Sequence, residues 1–180
     1  MSQNLRLMSF LAGISLALSG SAGFSAGDSS SGAFLAKEGQ SQYRIVLEPS
    51  ASPSEKHAAE ELQRFFKLCT GAELSIADSA APDGVAMIVL GHGSVAKKLG
   101  VDPSDDALGE QGYVIRTVPP HIVIAGTQAA GTLYGVYDFL ESQLGVRWYA
   151  PDATKTPTLK SLALPILDKT VRPAFLWRHT

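Results

Sequence analysis

The segment from Gln128 to Pro151 constrains the fold of this chain more than any other. Residues 128–144 place apolar side chains three or four positions apart, which predicts an amphipathic helix packed through one face. That face consists of Leu133, Val136, Tyr137, Leu140 and Leu144. Gly131 and Gly135 carry no side chain and would let the helix approach a sheet closely. The segment therefore predicts a helix that rests on a sheet and precedes a short aromatic strand, Arg147–Tyr149.

A second helix has start and stop signals in the sequence. Ser52 can cap its first turn, Pro53 suits the first helical position, and Glu55 completes a capping-box pattern. Gly71 supplies the left-handed residue that ends such a helix. Its predicted apolar stripe consists of Ala58, Leu62, Phe65, Phe66 and Cys69.

Five or six strands accompany the two helices. They are predicted at Tyr43–Glu48, Leu74–Ala77, Val85–Leu90, Tyr113–Thr117, His121–Ala125 and, as a possibility, Ser161–Ile166. The third has almost no polar residue, as expected of a strand that is central or covered on both faces. The fourth and fifth form a hairpin across Val118–Pro120, where proline is tolerated. We predict an α+β fold, a two-layer sandwich of a mixed β-sheet with two main helices on one face.

The first 26 residues resemble an export signal. Arg6 precedes an apolar run from Leu7 to Leu18, and small residues follow it, with cleavage expected after Ala22 or Ala26. A run of about 12 apolar residues is too short to span a bilayer. We therefore predict an exported protein, periplasmic or extracellular, with no membrane association after cleavage. Residues 27–42 are rich in Ser and Gly and predict a flexible tether.

Net charge limits the classes of possible partner, and the cysteine count limits the sources of stability. The 180-residue chain has a formal net charge of −2, which becomes −3 when Arg6 leaves with the signal. This mild acidity gives no basis for a nucleic-acid partner. Cys69 is the single cysteine, so an intramolecular disulfide is excluded and stability must come from packing. A mature chain of this size is expected to bury roughly 70% of its unfolded surface as one domain.

Four short patterns have chemical parallels, and for each a structural interpretation is favoured. Gly126 to Gly131 has phosphate-loop spacing, but Thr132 stands where that loop needs Lys. His57 to Glu61 lacks the second His of a zinc helix. The turn Gly91–Gly93 could offer N–H groups to an anion or could be an ordinary strand-to-helix turn.

The fourth pattern is a set of carboxylate pairs, Asp105/Asp106 and Asp138/Glu141. The first pair lies in a polar loop, and the second lies on a helix opposite its apolar face. Neither has the placement of glycosidase acids, which flank a sugar in a cleft. We predict no catalytic residue, no metal site and no cofactor in this chain.

A family resemblance is carried by residues 131–151. The helix has the form G-x-x-Y-G-x-x-x-x-L, and it is closed by L-G-x-R-W-Y-A-P. This resembles the non-catalytic N-terminal domain of secreted glycoside hydrolases, namely the β-N-acetylhexosaminidases, the α-glucuronidases and a related uncharacterised bacterial group, which is the nearest. The resemblance implies that residues 43–150 form such an α/β domain.

The same resemblance implies a function. The chain would be the non-catalytic accessory domain of an exported glycoside hydrolase that cleaves O-glycosyl bonds in carbohydrates. Its partner would be a C-terminal catalytic barrel of the same polypeptide, reached through a crossing segment at 151–173. Residues 174–180 would begin that barrel, so the chain is expected to be a fragment. The alternative is a stand-alone exported carbohydrate-binding or cell-surface module.

Two site residues follow from the resemblance alone. The segment Arg172–Arg178 is similar to the hexosaminidase pattern R-F-x-W-R, in which the last Arg holds hydroxyls of the sugar being cleaved. The resemblance thus implies substrate-binding roles for Arg178 and Trp177. A planar guanidinium with paired donors suits such a contact.

Overall fold

The computed structural model describes residues 33–78, 84–104, 108–127 and 129–174. The predicted signal peptide and the 174–180 barrel start, apart from Ala174, lie outside these residues. The described elements, in chain order, are β1 Phe34–Lys37, β2 Arg44–Val46, α1 Pro53–Thr70, β3 Ser75–Ala77, β4 Met87–Leu90, α2 Ser94–Lys98, β5 Tyr113–Val118, β6 His121–Gly126, α3 Ala129–Gln143, β7 Arg147–Ala150, β8 Ala153–Lys155, β9 Ser161–Ala163 and β10 Asp168–Val171. Within the described ranges, no helix combines the length and apolarity needed to cross a membrane.

A six-stranded mixed sheet forms the centre of the molecule, in the order β10-β5-β6-β4-β2-β3. Strands β3, β2, β4 and β6 run parallel, while β5 pairs antiparallel with both β6 and β10. Two small antiparallel sheets, β1–β9 and β7–β8, lie beside it. The predicted α+β class and mixed sheet are confirmed.

Helix α1 begins and ends as its sequence predicts. The Ser52 hydroxyl accepts a hydrogen bond from the Glu55 amide at 3.2 Å, and the Glu55 carboxylate accepts one from the Ser52 amide at 2.8 Å. These reciprocal bonds satisfy two donors that a helix start leaves unpaired. Gly71 ends the helix at φ 75°, in the left-handed region. The predicted apolar stripe, including Cys69, is buried.

The sheet is covered on both faces. Helices α1 and α3 share one core with alternate residues of the central strands, among them Ile45, Ile88 and Ile124. The intervening residues, among them Val46 and Val89, face a second core that α2 helps to form. The predicted placement of the two main helices on one face is therefore correct, and the second core explains why all four residues of β4 are buried.

Close backbone approach fixes α3 on the sheet. A Cβ atom at Gly135 would lie 2.7 Å from the Ile124 Cγ2, and one at Gly131 would collide with the Gly112 carbonyl oxygen. The predicted role of both glycines is confirmed. Val136, Leu140 and Leu144 are buried and Leu133 is partly buried, as expected. Phe139, absent from the predicted face, is also fully buried, because α3 packs against α1 as well as the sheet.

Two boundaries need correction. The predicted tether at 27–42 is wrong from Phe34 onward, because β1 pairs with β9 and buries Leu35 and Ala36 in the core. The predicted crossing segment at 151–173 contains β8, β9 and β10, of which β9 lies within the possible strand predicted at Ser161–Ile166. Strand β10 joins the main sheet beside β5, so the domain extends from β1 to β10 rather than over 43–150.

Candidate functional site

The carboxyl-terminal edge of the parallel strands is where open α/β sheets usually hold ligands. Here Glu48 follows β2, and its carboxylate accepts hydrogen bonds from the Ser94 hydroxyl at 3.0 Å and the Val95 amide at 2.9 Å. A Cβ atom at Gly93 would collide with the Glu48 side chain. The start of α2, considered above as an anion site, therefore carries the chain's own carboxylate.

The turn with phosphate-loop spacing, Gly126 to Gly131, is also filled by contacts of the chain itself. The Gly126 amide donates to the Thr132 hydroxyl at 3.0 Å, and Thr132 is fully buried. A Cβ atom at Gly126 would collide with the backbone of Gly131 and Thr132. These contacts confirm that the two glycines serve close packing of the turn between β6 and α3.

The two ends of the zinc-like pattern on α1, His57 and Glu61, lie in different surroundings. His57 is exposed, with its Nδ1 3.9 Å from the Glu60 carboxylate. Glu61 instead accepts from Arg64 and from the Tyr137 hydroxyl, each at 3.2 Å. Among the described residues, no three His, Cys, Asp or Glu side chains are grouped so that they could hold a metal ion.

The carboxylates of α3 serve separate structural contacts. Asp138 accepts from the Tyr113 hydroxyl at 2.9 Å and pairs with Lys169 of β10. Burial, reinforced by Asp138, raises the pKa of the Tyr113 hydroxyl far above its ordinary range. Glu141 pairs with Arg147 at 3.3 Å. Asp138 and Glu141 thus each have a basic partner on another element, and Asp105 and Asp106 lie outside the described residues.

The β7–β8 hairpin, Arg147–Lys155, is an exposed feature of the molecule. Trp148 packs edge-to-face on Phe65 of α1 and Tyr137 of α3, with ring centroids 5.3 and 5.2 Å away. The register shifts between Trp148 and Ala150, so Tyr149 is a bulge residue. Its side chain is 71% exposed. All seven strand residues of this hairpin are exposed.

The opposite, amino-terminal edge of the parallel strands carries an open cleft of about 790 Å³, here called the amino-edge cleft. Its lining includes Phe34, Lys37, Gln40, Gln42, Tyr43 and Pro120. The sequence interpretation missed it because 27–42 was assigned to a tether. The apolar run Ala33–Ala36, placed before the turn residues Glu38 and Gly39, was the signal that a strand begins there.

The two residues predicted to hold substrate, Arg178 and Trp177, lie outside the described residues. The aromatic pair Trp148 and Tyr149 is described, and the structure separates its members. Trp148 rests on the two helices, whereas Tyr149 faces away from the core. The hairpin is thus the candidate contact surface and the amino-edge cleft is the candidate binding site.

Comparisons with solved structures return enzymes that act on carbohydrates. A family GH115 4-O-methyl-α-glucuronidase with specificity for decorated arabinogalactans matches with a TM-score of 0.59 and 19% identity, over 74% of this chain and 18% of its own. The GH20 β-N-acetylhexosaminidase of Streptomyces coelicolor A3(2) matches with a TM-score of 0.49 and 15% identity, over 76% and 23% of the two chains. The N-acetyl-β-hexosaminidase of Streptomyces plicatus gives 0.49 and 18%, over 75% and 23%.

The first of these likenesses shows a shared fold, and this chain spans less than a quarter of each of the three enzymes. A comparison with curated protein sequences gave no match. The model of a family described as glycosyl hydrolase family 67 N-terminus matches residues 34–139. The resemblance to an N-terminal accessory domain of glycosidases is thereby confirmed. Because that match covers more than half of the sequence, the chain belongs to the glycosyl hydrolase family 67 N-terminus family.

Proposed function

We propose that this domain is the non-catalytic accessory part of an exported glycoside hydrolase and braces a C-terminal catalytic barrel of the same polypeptide. The observation that carries the proposal is the β7–β8 hairpin, which exposes aromatic surface beside the two main helices. The family and the glucuronidase fold support the glycosidase context.

The described carboxylates support a non-catalytic role. Glycoside hydrolysis generally requires two carboxyl groups about 5–10 Å apart on either side of a sugar. Glu48 and Glu55 are occupied by backbone and hydroxyl donors, and Asp138 is held by Tyr113 and Lys169. The chemistry is therefore assigned to the barrel, since barrels place it at the carboxyl ends of their own strands.

The hairpin has the properties of an interdomain contact. A two-stranded hairpin is marginal on its own, so the packing of Trp148 on Phe65 and Tyr137 is what anchors it. Tyr149, next to that anchor, is 71% exposed, and tyrosine is enriched among residues that dominate protein interfaces. A barrel packed on the hairpin would bury Tyr149.

The substrate of the complete enzyme is proposed only by class. The GH115 neighbour acts on decorated arabinogalactans, so a carbohydrate with O-glycosyl bonds is the expected substrate. In the complete enzyme to which this chain would belong, Arg178 and Trp177 would contact the sugar, as their sequence pattern implies. Export rests on the signal-like residues 1–26.

The experiment compares three purified proteins on aryl glucuronides and aryl hexosaminides: this chain, the barrel, and the two joined. We expect no turnover by this chain alone and a higher unfolding temperature of the barrel in the joined protein. Turnover by this chain would refute its non-catalytic role. An unchanged unfolding temperature of the barrel would refute the bracing role.

A further inference from the structure

The amino-edge cleft has a rigid wall. Lys37 and Gln40 exchange two backbone hydrogen bonds of 2.9 Å across a tight turn. Glu38 and Gly39 occupy that turn with φ of 49° and 74°, and the Glu38 amide donates to the Lys160 carbonyl at 2.8 Å. The backbone of this wall is therefore ordered before any ligand arrives, which reduces the entropic cost of binding.

The floor is fixed just as firmly. The Tyr43 hydroxyl donates to the Pro120 carbonyl at 2.8 Å, and the Ser41 hydroxyl donates to the Leu35 carbonyl at 2.7 Å. The Arg44 amide donates to the Ala86 carbonyl at 3.1 Å. These bonds join β1, β2 and the residues before β4 and β6 around one concave surface.

The side chains that remain available suit a sugar. Gln40 and Gln42 are exposed, and their side-chain amides make no hydrogen bond to another described residue, so each side chain can donate and accept. Phe34 is 38% exposed and offers an aromatic surface for the C–H face of a sugar ring. The volume of about 790 Å³ falls within the range of small-ligand sites.

The charge of the lining favours an acidic sugar. Lys37 is the single charged residue among the described residues that line the cleft. Its Nζ lies 5.1 Å from the centre of the Phe34 ring and has no carboxylate partner among the described residues. An ammonium beside an aromatic surface, with two amides nearby, matches a sugar that carries a carboxylate.

We propose that the amino-edge cleft binds an acidic oligosaccharide, with Phe34 stacking on a sugar ring, Gln40 and Gln42 bonding hydroxyls, and Lys37 pairing with the carboxylate. This inference rests on the proposed function for its carbohydrate context. It adds a substrate-retaining site on the accessory domain, separate from the barrel's chemistry.

The test is an NMR titration of this chain with cellobiouronic acid and, in parallel, with cellobiose, which has a hydroxymethyl group in place of the carboxylate. Amide shifts should move around residues 34–43 and 84–86, and the acid should bind about fivefold more tightly or better. Lys37→Gln should remove the preference for the acid. Phe34→Ala should lower the affinity for both sugars about fivefold. Lys98→Gln, an exposed lysine on α2 at the opposite edge of the sheet, is the matched control.

Each other result overturns the proposal. A folded spectrum without shifts in the cleft would exclude a binding site for these sugars there. Equal affinities would exclude the role of the carboxylate, and an equal effect of Lys98→Gln would show non-specific attraction. None of these outcomes concerns contact with the barrel, so the bracing role would fail or stand separately.

Discussion

The carboxyl-terminal edge of the sheet and the β7–β8 hairpin are opposite kinds of surface. At the edge, Glu48 satisfies the donors of Ser94 and Val95, and Thr132 satisfies Gly126. On the hairpin, every strand residue is exposed and Tyr149 has no cover over most of its side chain. This chain thus fills the usual ligand edge with contacts that serve its own stability and leaves the aromatic surface of the hairpin exposed.

The difference follows from the residues at each place. Small residues at the edge let backbone and side chains meet, so no room remains beside Gly93 or Gly126. The bulge in β7 turns Tyr149 away while Trp148 holds the strand on α1 and α3. A bulge is a known means of redirecting one side chain in a strand.

The largest effect is expected from Gly126→Ala, which tests how tightly the edge is closed. The added methyl group would collide with the backbone of α3, so the helix would have to move from the sheet. We expect a loss of about 3 kcal/mol in the free energy of unfolding, measured by urea denaturation. A loss below about 0.5 kcal/mol would mean that the edge is loosely packed.

A smaller loss is expected from Glu48→Ala. The change removes the carboxylate that accepts hydrogen bonds from the Val95 amide and the Ser94 hydroxyl. We expect the free energy of unfolding to fall by about 1–3 kcal/mol. Glu60→Ala removes an exposed carboxylate from α1 and should change stability by less than about 0.5 kcal/mol. Equal effects of the two substitutions would contradict the structural role of Glu48.

Trp148→Ala should affect the hairpin more than the core. The loss of two edge-to-face contacts is expected to cost about 1–2 kcal/mol. Hydrogen exchange should then rise in residues 147–155 while the strands of the main sheet stay protected. Equal loss of protection throughout would show that the hairpin is part of the core rather than an attachment to it.

The smallest effect concerns the Asp102 carboxyl at the edge. Its hydrogen bond with His92 at 2.8 Å, helped by Lys97, lowers its pKa below the ordinary value. A lowered pKa means that this interaction contributes at pH values above the ordinary pKa and is lost as pH falls through the lowered one. His92→Ala should raise the Asp102 pKa in an NMR titration, and an unchanged pKa would contradict the contact.

The sequence predicted helices and central strands well because their signals are local. The capping box at Ser52, the glycine at 71 and the apolar β4 each specify their own element. Strands β8, β9 and β10 were missed or only partly predicted, since exposed strands such as Asp168–Val171 lack apolar alternation. Their pairing depends on distant backbone partners.

The candidate sites were predicted less well for the same reason. The aromatic pair at 148 and 149 was visible, but which member packs inward depends on the bulge. The amino-edge cleft joins β1 to residues that start three other strands, so no local pattern indicates it. Filling of the α2 start by Glu48 likewise joins residues 46 positions apart.

The proposed accessory role is tested most directly by Tyr149→Ala in a polypeptide that joins this domain to the proposed catalytic barrel. We expect the isolated domain to keep its stability within about 0.5 kcal/mol, because Tyr149 is mostly exposed. In the joined protein, the same change should lower the unfolding temperature of the barrel, whereas Tyr134→Ala, an exposed tyrosine of α3, should not. An unchanged barrel unfolding temperature in the Tyr149→Ala protein would contradict the account.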